Sequence, residues 1–182
     1  MSKTDIRICG MGGQGVIMSG MVIGKAASIY QNKWSTMIQS FGPEARGSTC
    51  AAQVMIAESP IGYPYIRKSD VFMVFSQAGY EKYVNELKPE GMLVYEDELV
   101  TLDERVPGSV TTCGIPATRI AQEQIGKVIT FNMVMLGFLA QNSNFISFDA
   151  IRKSIIDSVP KGTEETNLKA FDAGYTYEAQ EQ

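Results

Sequence analysis

The sequence contains no histidine, which removes both the commonest general base and the commonest metal ligand. Its three cysteines, Cys9, Cys50 and Cys113, lie far apart and form no CxxC pair. Iron–sulfur clusters and structural zinc take about four grouped ligands, so neither is expected here. The odd, unpaired count fits a reducing compartment. No apolar run approaches the roughly 20 residues that cross a bilayer, and Met1-Ser2-Lys3-Thr4-Asp5 shows no signal-peptide core. A cytoplasmic location without membrane contact is the expectation. A basic field is also missing: 16 Lys and Arg against 20 Asp and Glu give a net charge of −4, which argues against a nucleic-acid partner.

What is present describes an α/β chain. A length of 182 residues fits a single domain over 1–182, and 45% hydrophobic residues supply an ordinary core. Ile6–Cys9 predicts a short first strand, followed by a glycine-rich turn and a helix over 16–30. Val16, Met21, Val22 and Ala26 are expected to share its inner face. Gly20 and Gly24 each cost roughly 1 kcal/mol of helix propensity, so close packing against the sheet is their expected role.

Strands are predicted over 34–41 and 49–57. The link between them is too short for a crossover helix, so they should be antiparallel neighbours. Val71-Phe72-Met73-Val74-Phe75 is uniformly apolar, the pattern of a strand buried on both faces. A helix over 77–87, a turn at Pro89-Glu90-Gly91 and strands over 92–95 and 110–113 follow. Pro116 should open a helix through Ile125. An apolar helix over 130–141 comes next, then one over 148–158 capped by Ser147, and a last helix over 164–177. The expected architecture is a three-layer α/β/α sandwich around a mixed, mostly parallel sheet.

Gly10-x-Gly12-Gly13-x-Gly15 fits G-x-G-x-x-G between a strand and a helix. Such a loop permits a tight turn and lets a phosphate approach N–H groups at a helix N-terminus. It equally permits close strand–helix packing or a subunit contact, and both readings stand at this level. The rest of a dinucleotide fingerprint is absent: the second strand ends in Gln39-Ser40-Phe41, where a ribose-binding acid belongs. NAD and FAD are therefore not expected.

Several segments together carry a family resemblance. They are Gly10-Met11-Gly12-Gly13-Gln14-Gly15-Val16, Gly42-Pro43-Glu44-Ala45-Arg46-Gly47, Leu87-Lys88-Pro89-Glu90-Gly91, Gly114-Ile115-Pro116-Ala117-Thr118, Asn132-Met133-Val134-Met135-Leu136-Gly137 and Asn167-Leu168-x-Ala170-Phe171-x-x-Gly174. In this order they resemble the gamma subunit of the 2-oxoacid:ferredoxin oxidoreductases, and most of all the 2-oxoglutarate enzyme. Ser48, where the family often has glycine, is a local departure.

The resemblance implies a complex that couples oxidative decarboxylation to acylation of coenzyme A. Thiamine diphosphate and iron–sulfur clusters would belong to alpha, beta and ferredoxin-like delta partners, with ferredoxin as electron acceptor. This chain would support assembly and border the coenzyme A site. It would do so through Gly10, Gly12, Gly13, Gln14, Gly15, Ser40, Gly42, Glu44 and Arg46, with no catalytic or metal-binding residue of its own. Glu44 and Arg46 are read equally as an internal ion pair, and Asn132 as a helix-start cap. A surface left for partners predicts a homodimer in isolation. The rival reading is a stand-alone adenylating protein that uses the same glycine loop for a nucleotide.

Overall fold

The computed structural model describes residues 3–42 and 48–178. Six strands form one mixed sheet in the order β2-β3-β1-β4-β5-β6. They are β1 (Lys3–Met11), β2 (Trp34–Ser40), β3 (Thr49–Ala57), β4 (Ser69–Val74), β5 (Leu87–Glu96) and β6 (Thr111–Ile115). β1, β4, β5 and β6 run parallel, while β3 is antiparallel to both β1 and β2. The short link after β2 thus produces the antiparallel pair that its length demands.

Alternation along β1 sends neighbouring side chains to opposite faces. Ile6 and Ile8 enter a large apolar core beneath α1 (Val16–Tyr30), α4 (Phe131–Asn142), α5 (Phe148–Ile156) and α6 (Glu164–Tyr175). Cys9 enters a smaller core with Phe72, Val74, Tyr80 and Tyr83, covered by α2 (Gln77–Tyr83) and by Val100 and Val110. Arg7, only 2% exposed, also lies on that second face. Its guanidinium stacks over the Tyr83 ring, donates to Ile66 O and pairs with Glu86, which ties down the segment before β4.

Helix positions 16, 19, 20, 23, 26 and 27 form the buried stripe of α1, and Val22 joins them. Met21 does not: it falls on the outer side and is exposed. Gly20 packs as expected, since an added Cβ would lie 2.8 Å from Ala52 Cβ. Gly24 is looser, with its carbonyl accepting from Ser35 Oγ at 2.9 Å.

Three other boundaries differ from the sequence expectation. Pro89-Glu90-Gly91 lies inside β5 rather than in a turn. The ladder to β4 is irregular there and β6 joins only at Met92, so Pro89 interrupts no regular pairing. The helix after Ser76 ends at Tyr83 and tightens into a 3-10 turn over Val84–Glu86. Pro116 sits at the N-cap of the short α3 (Ala117–Ile120), outside the first turn, and a π-type turn then runs to Gly126 at φ 76°. Ser147 caps α5 through Ala150 N–H at 3.2 Å, as its position suggested.

Helix α4 is buried on every side from Phe131 to Ala140, which accounts for its unbroken apolar run. It crosses α6 with almost no gap. A Cβ on Gly137 would overlap Phe171 O, and one on Gly174 would overlap Val134 O. Both glycines are therefore there for contact between backbones.

Candidate functional site

The direction of chain progression across the sheet reverses between β1 and β4: β2 and β3 add on one side of β1, β5 and β6 beyond β4. In open α/β sheets ligands bind outside the strand carboxyl ends at such a switch point. The glycine loop lies there, opposite the Phe75–Ser76 turn that leads into α2.

Each loop residue has a distinct role. Gly10 is tightly packed, since an added Cβ would lie 2.6 Å from Gln14 Oε1 and 2.9 Å from Phe75 Cβ. Gln14 Oε1 accepts from Met11 N–H at 2.7 Å, and its Nε2 donates to Phe75 O at 3.1 Å. The side chain is a bracket between β1 and the end of β4. Gly12 N–H donates to Ser48 O at 3.0 Å, joining the loop to the start of β3. Gly13 has φ 99° with open space where a Cβ would sit. Gly15 is the N-cap of α1 at φ 76°, and an added Cβ would lie 2.5 Å from Asn132 Nδ2. No side chain caps α1 and no acid stands in its first turn. Its leading N–H groups, which have no intrahelical partners, keep their capacity for an anion.

Ser40 ends β2 and is exposed. Gly42 packs on Ser48, with an added Cβ 2.5 Å from Ser48 Cβ. This segment therefore borders the loop through Ser48. Glu44 and Arg46 lie outside the described residues.

Beside the loop opens a cavity of about 390 Å³ where the amino-terminal ends of α1, α4 and α6 converge. Gly13, Gly15, Met18, Lys127, Asn132 and Asn167 are among its lining residues. Asn132 does not cap α4: Thr130 holds the N-cap position, without a side-chain cap bond. Instead the Asn132 amide lies under Gly15, 4% exposed, on the cavity wall, with no hydrogen-bond partner among the described residues. Asn167 holds the start of α6, its Nδ2 donating to Thr163 O at 2.9 Å. The glycine loop and the two asparagine–glycine motifs, far apart in sequence, thus meet at one place. Sequence reasoning missed Met18, Lys127, Thr166 and Asn167 as lining residues. The available signal was that both late motifs begin with asparagine and end with glycine, since the glycines close the helix crossing that brings the asparagines together.

The Gly114–Thr118 motif is explained by a carboxylate. Glu96 is fully buried, and its Oε2 accepts from Thr118 N–H at 2.7 Å and Thr118 Oγ at 2.6 Å. Its Oε1 accepts from Glu98 N–H at 3.1 Å. Burial nevertheless pushes its pKa above the ordinary carboxylate value, with the Thr118 bonds opposing. Burial likewise raises the thiols of Cys9, Cys50 and Cys113, which makes them poor nucleophiles. Among the described residues, no group of three or more His, Cys, Asp or Glu is placed to hold a metal ion. No helix among them is long and apolar enough to cross a membrane. The arrangement offers N–H donors, one unpartnered amide and apolar walls, which is chemistry for binding.

The fold and site define a class of α/β chain that presents a glycine-rich strand-to-helix loop at the switch point of a mixed sheet, with a cavity beside it. More narrowly, the chain belongs to the pyruvate ferredoxin/flavodoxin oxidoreductase family, which it matches over residues 5–177. It is 44% identical to 2-oxoglutarate synthase subunit KorC of Methanocaldococcus jannaschii, over 95% of this chain and 92% of that one. The gamma subunit of a keto/oxoacid ferredoxin oxidoreductase from Geobacter sulfurreducens superposes with a TM-score of 0.83 at 33% identity, covering 94% of this chain and 96% of that one. The 2-oxoglutarate:ferredoxin oxidoreductase of Magnetococcus marinus, solved with 2-oxoglutarate, coenzyme A and succinyl-CoA bound, superposes with a TM-score of 0.85 at 27% identity. That match covers 96% of this chain and 30% of the other. The chain is thus a gamma subunit of a 2-oxoacid:ferredoxin oxidoreductase, most like the 2-oxoglutarate synthase kind.

Proposed function

We propose that this chain acts as a single domain in a 2-oxoglutarate:ferredoxin oxidoreductase and holds part of the coenzyme A that receives the succinyl group. The observation that carries this reading is the uncapped glycine loop at the switch point, where Gly13 leaves open space and the first N–H groups of α1 have no intrahelical partners. A phosphate group of the coenzyme is the natural acceptor for them. Support comes from the Magnetococcus relative, which carries coenzyme A and a unit similar to this chain within a longer one. Ser40 and Gly42 border the loop, and Glu44 and Arg46 follow them in sequence; Arg46 offers a guanidinium to a phosphate or carboxylate.

The decarboxylating and electron-carrying chemistry belongs to partners in this proposal. Thiamine diphosphate on those chains attacks the 2-oxoacid, clusters carry the electrons to ferredoxin, and the coenzyme thiol takes the acyl group. The three cysteines lie on three different strands and are buried or half-buried, which does not suit a cluster. Purification through a tag on this chain tests the assignment. Co-purification of thiamine- and cluster-bearing subunits, with 2-oxoglutarate oxidised faster than pyruvate or branched-chain 2-oxoacids, is the expected result. A chain that purifies alone and binds ATP tightly would instead support the adenylating reading.

A further inference from the structure

We propose that a basic, aromatic groove at the amino-terminal end of the sheet is the docking site for a carboxylate-bearing segment of a partner subunit. This rests on the reading of the chain as one part of a complex and names the face by which it is held. The groove has a volume of about 540 Å³ and lies between the starts of β1 and β5 and the link that joins β3 to β4. Lys3, Tyr63, Tyr65, Arg67, Lys68 and Lys88 line it, together with Asp5. β1 begins here and ends at the glycine loop. Its nine residues, at about 3.3 Å each, separate the two places by roughly 25 Å. A partner seated here leaves the glycine-loop end of the sheet open.

Charge selects the partner. The chain as a whole carries −4, yet this groove gathers four cations against one carboxylate. That carboxylate is already engaged: Asp5 Oδ2 lies 2.9 Å from Lys3 Nζ and 3.8 Å from Lys88 Nζ, and Lys88 also holds Asp70 at 2.6 Å. Arg67 and Lys68 are exposed and have no ion-pair partner among the described residues. A positive field unmatched within the chain is complementary to carboxylates on another. The tyrosines favour a polypeptide over a small anion. Tyr63 and Tyr65 are 61% and 56% exposed, with ring centroids 5.4 Å apart. Rings so exposed add little to the core, while tyrosine and arginine are the residues that dominate protein–protein contacts. The loop bearing them is held from beneath at the buried Ile66. Its N–H donates to Gln53 Oε1 at 2.9 Å, and its carbonyl accepts from the buried Arg7 guanidinium at 3.2 Å. A partner therefore meets a surface already held in place, which lowers the entropic cost of docking.

Two measurements on the complex purified through a tag on this chain test the docking site. Carbodiimide joins a lysine amine to a carboxylate where the two are in contact. It should couple Lys68 to an Asp or Glu of a thiamine- or cluster-bearing subunit, read by peptide mass spectrometry. Arg67→Glu with Lys68→Glu in one chain should lower retention of those subunits about tenfold or more, with the melting temperature of native chain because both side chains are exposed. Tyr63→Ala with Tyr65→Ala should do likewise without a change of charge, and decides the matter if the charge reversal does not fold. Retention by native chain should also weaken as salt rises. Partners retained as by native chain in either folded variant, or Lys68 left uncoupled or coupled only to a second copy of this chain, would overturn the docking site while leaving the complex reading intact. Inorganic phosphate bound by native chain but not by the charge-reversed variant, with partners retained by both, would overturn it by giving the groove to a small anion. Native chain that retains no partner would remove the complex reading and this one together.

Discussion

Gly13 and Gly15 both adopt left-handed backbone angles, yet a methyl group added to each meets different surroundings. At Gly13 there is nothing within 4 Å, so Gly13→Ala carries only backbone strain of about 1–2 kcal/mol. At Gly15 the same strain is joined by a clash with Asn132, and Gly15→Ala should lose about 2–4 kcal/mol in all. Denaturant midpoints of the two variants check the order; equal losses would show that Asn132 moves aside freely. Glu96 yields a pH test. Its folded pKa is raised by burial, so the folded state holds this proton more tightly than the unfolded state does. Its contribution is therefore full below the ordinary carboxylate value and is lost as pH rises through the raised one. Stability of native chain minus that of Glu96→Gln should fall across that window. A rising difference would mean that the Thr118 and Glu98 hydrogen bonds outweigh burial. The glycines at 10–15 were legible from spacing, but Gln14 as a bracket was not, because its partner Phe75 lies 61 residues away.

Among the elements, the crossing of α4 and α6 is the most sharply constrained. Gly137→Ala or Gly174→Ala would drive a methyl group into a facing carbonyl, and the helices would have to separate. Each should cost about 3 kcal/mol or more, lowering the melting temperature by about 6–12 °C. Melting within about 2 °C of native would show that the crossing yields easily. Helices and strands themselves were largely legible, because apolar periodicity and uniform runs report burial directly. Pro89 was misread since a proline–glycine pair marks a turn unless the neighbouring ladder is irregular, which is a property of another strand. Met21 was misplaced on the inner face because several neighbouring residues of α1 are apolar, so the phase of the stripe depends on the sheet beneath.

At the scale of the whole molecule, the mixed sheet followed from one short link, but the strand order did not, since it depends on which face each crossover takes. The convergence of three helix starts on one cavity was equally invisible, because no local pattern encodes which helix ends meet. The proposed function makes that convergence a ligand-holding site, and ligand dependence in the assembled complex is where it must show. The most direct measurement is the KM for coenzyme A of the complex carrying Gly13→Val, compared with native, alongside dye reduction by 2-oxoglutarate in the absence of coenzyme A. The account predicts a KM raised about tenfold or more, with assembly and the coenzyme-independent reduction unchanged. An unchanged KM in an intact complex would contradict it and leave the glycine loop a packing device.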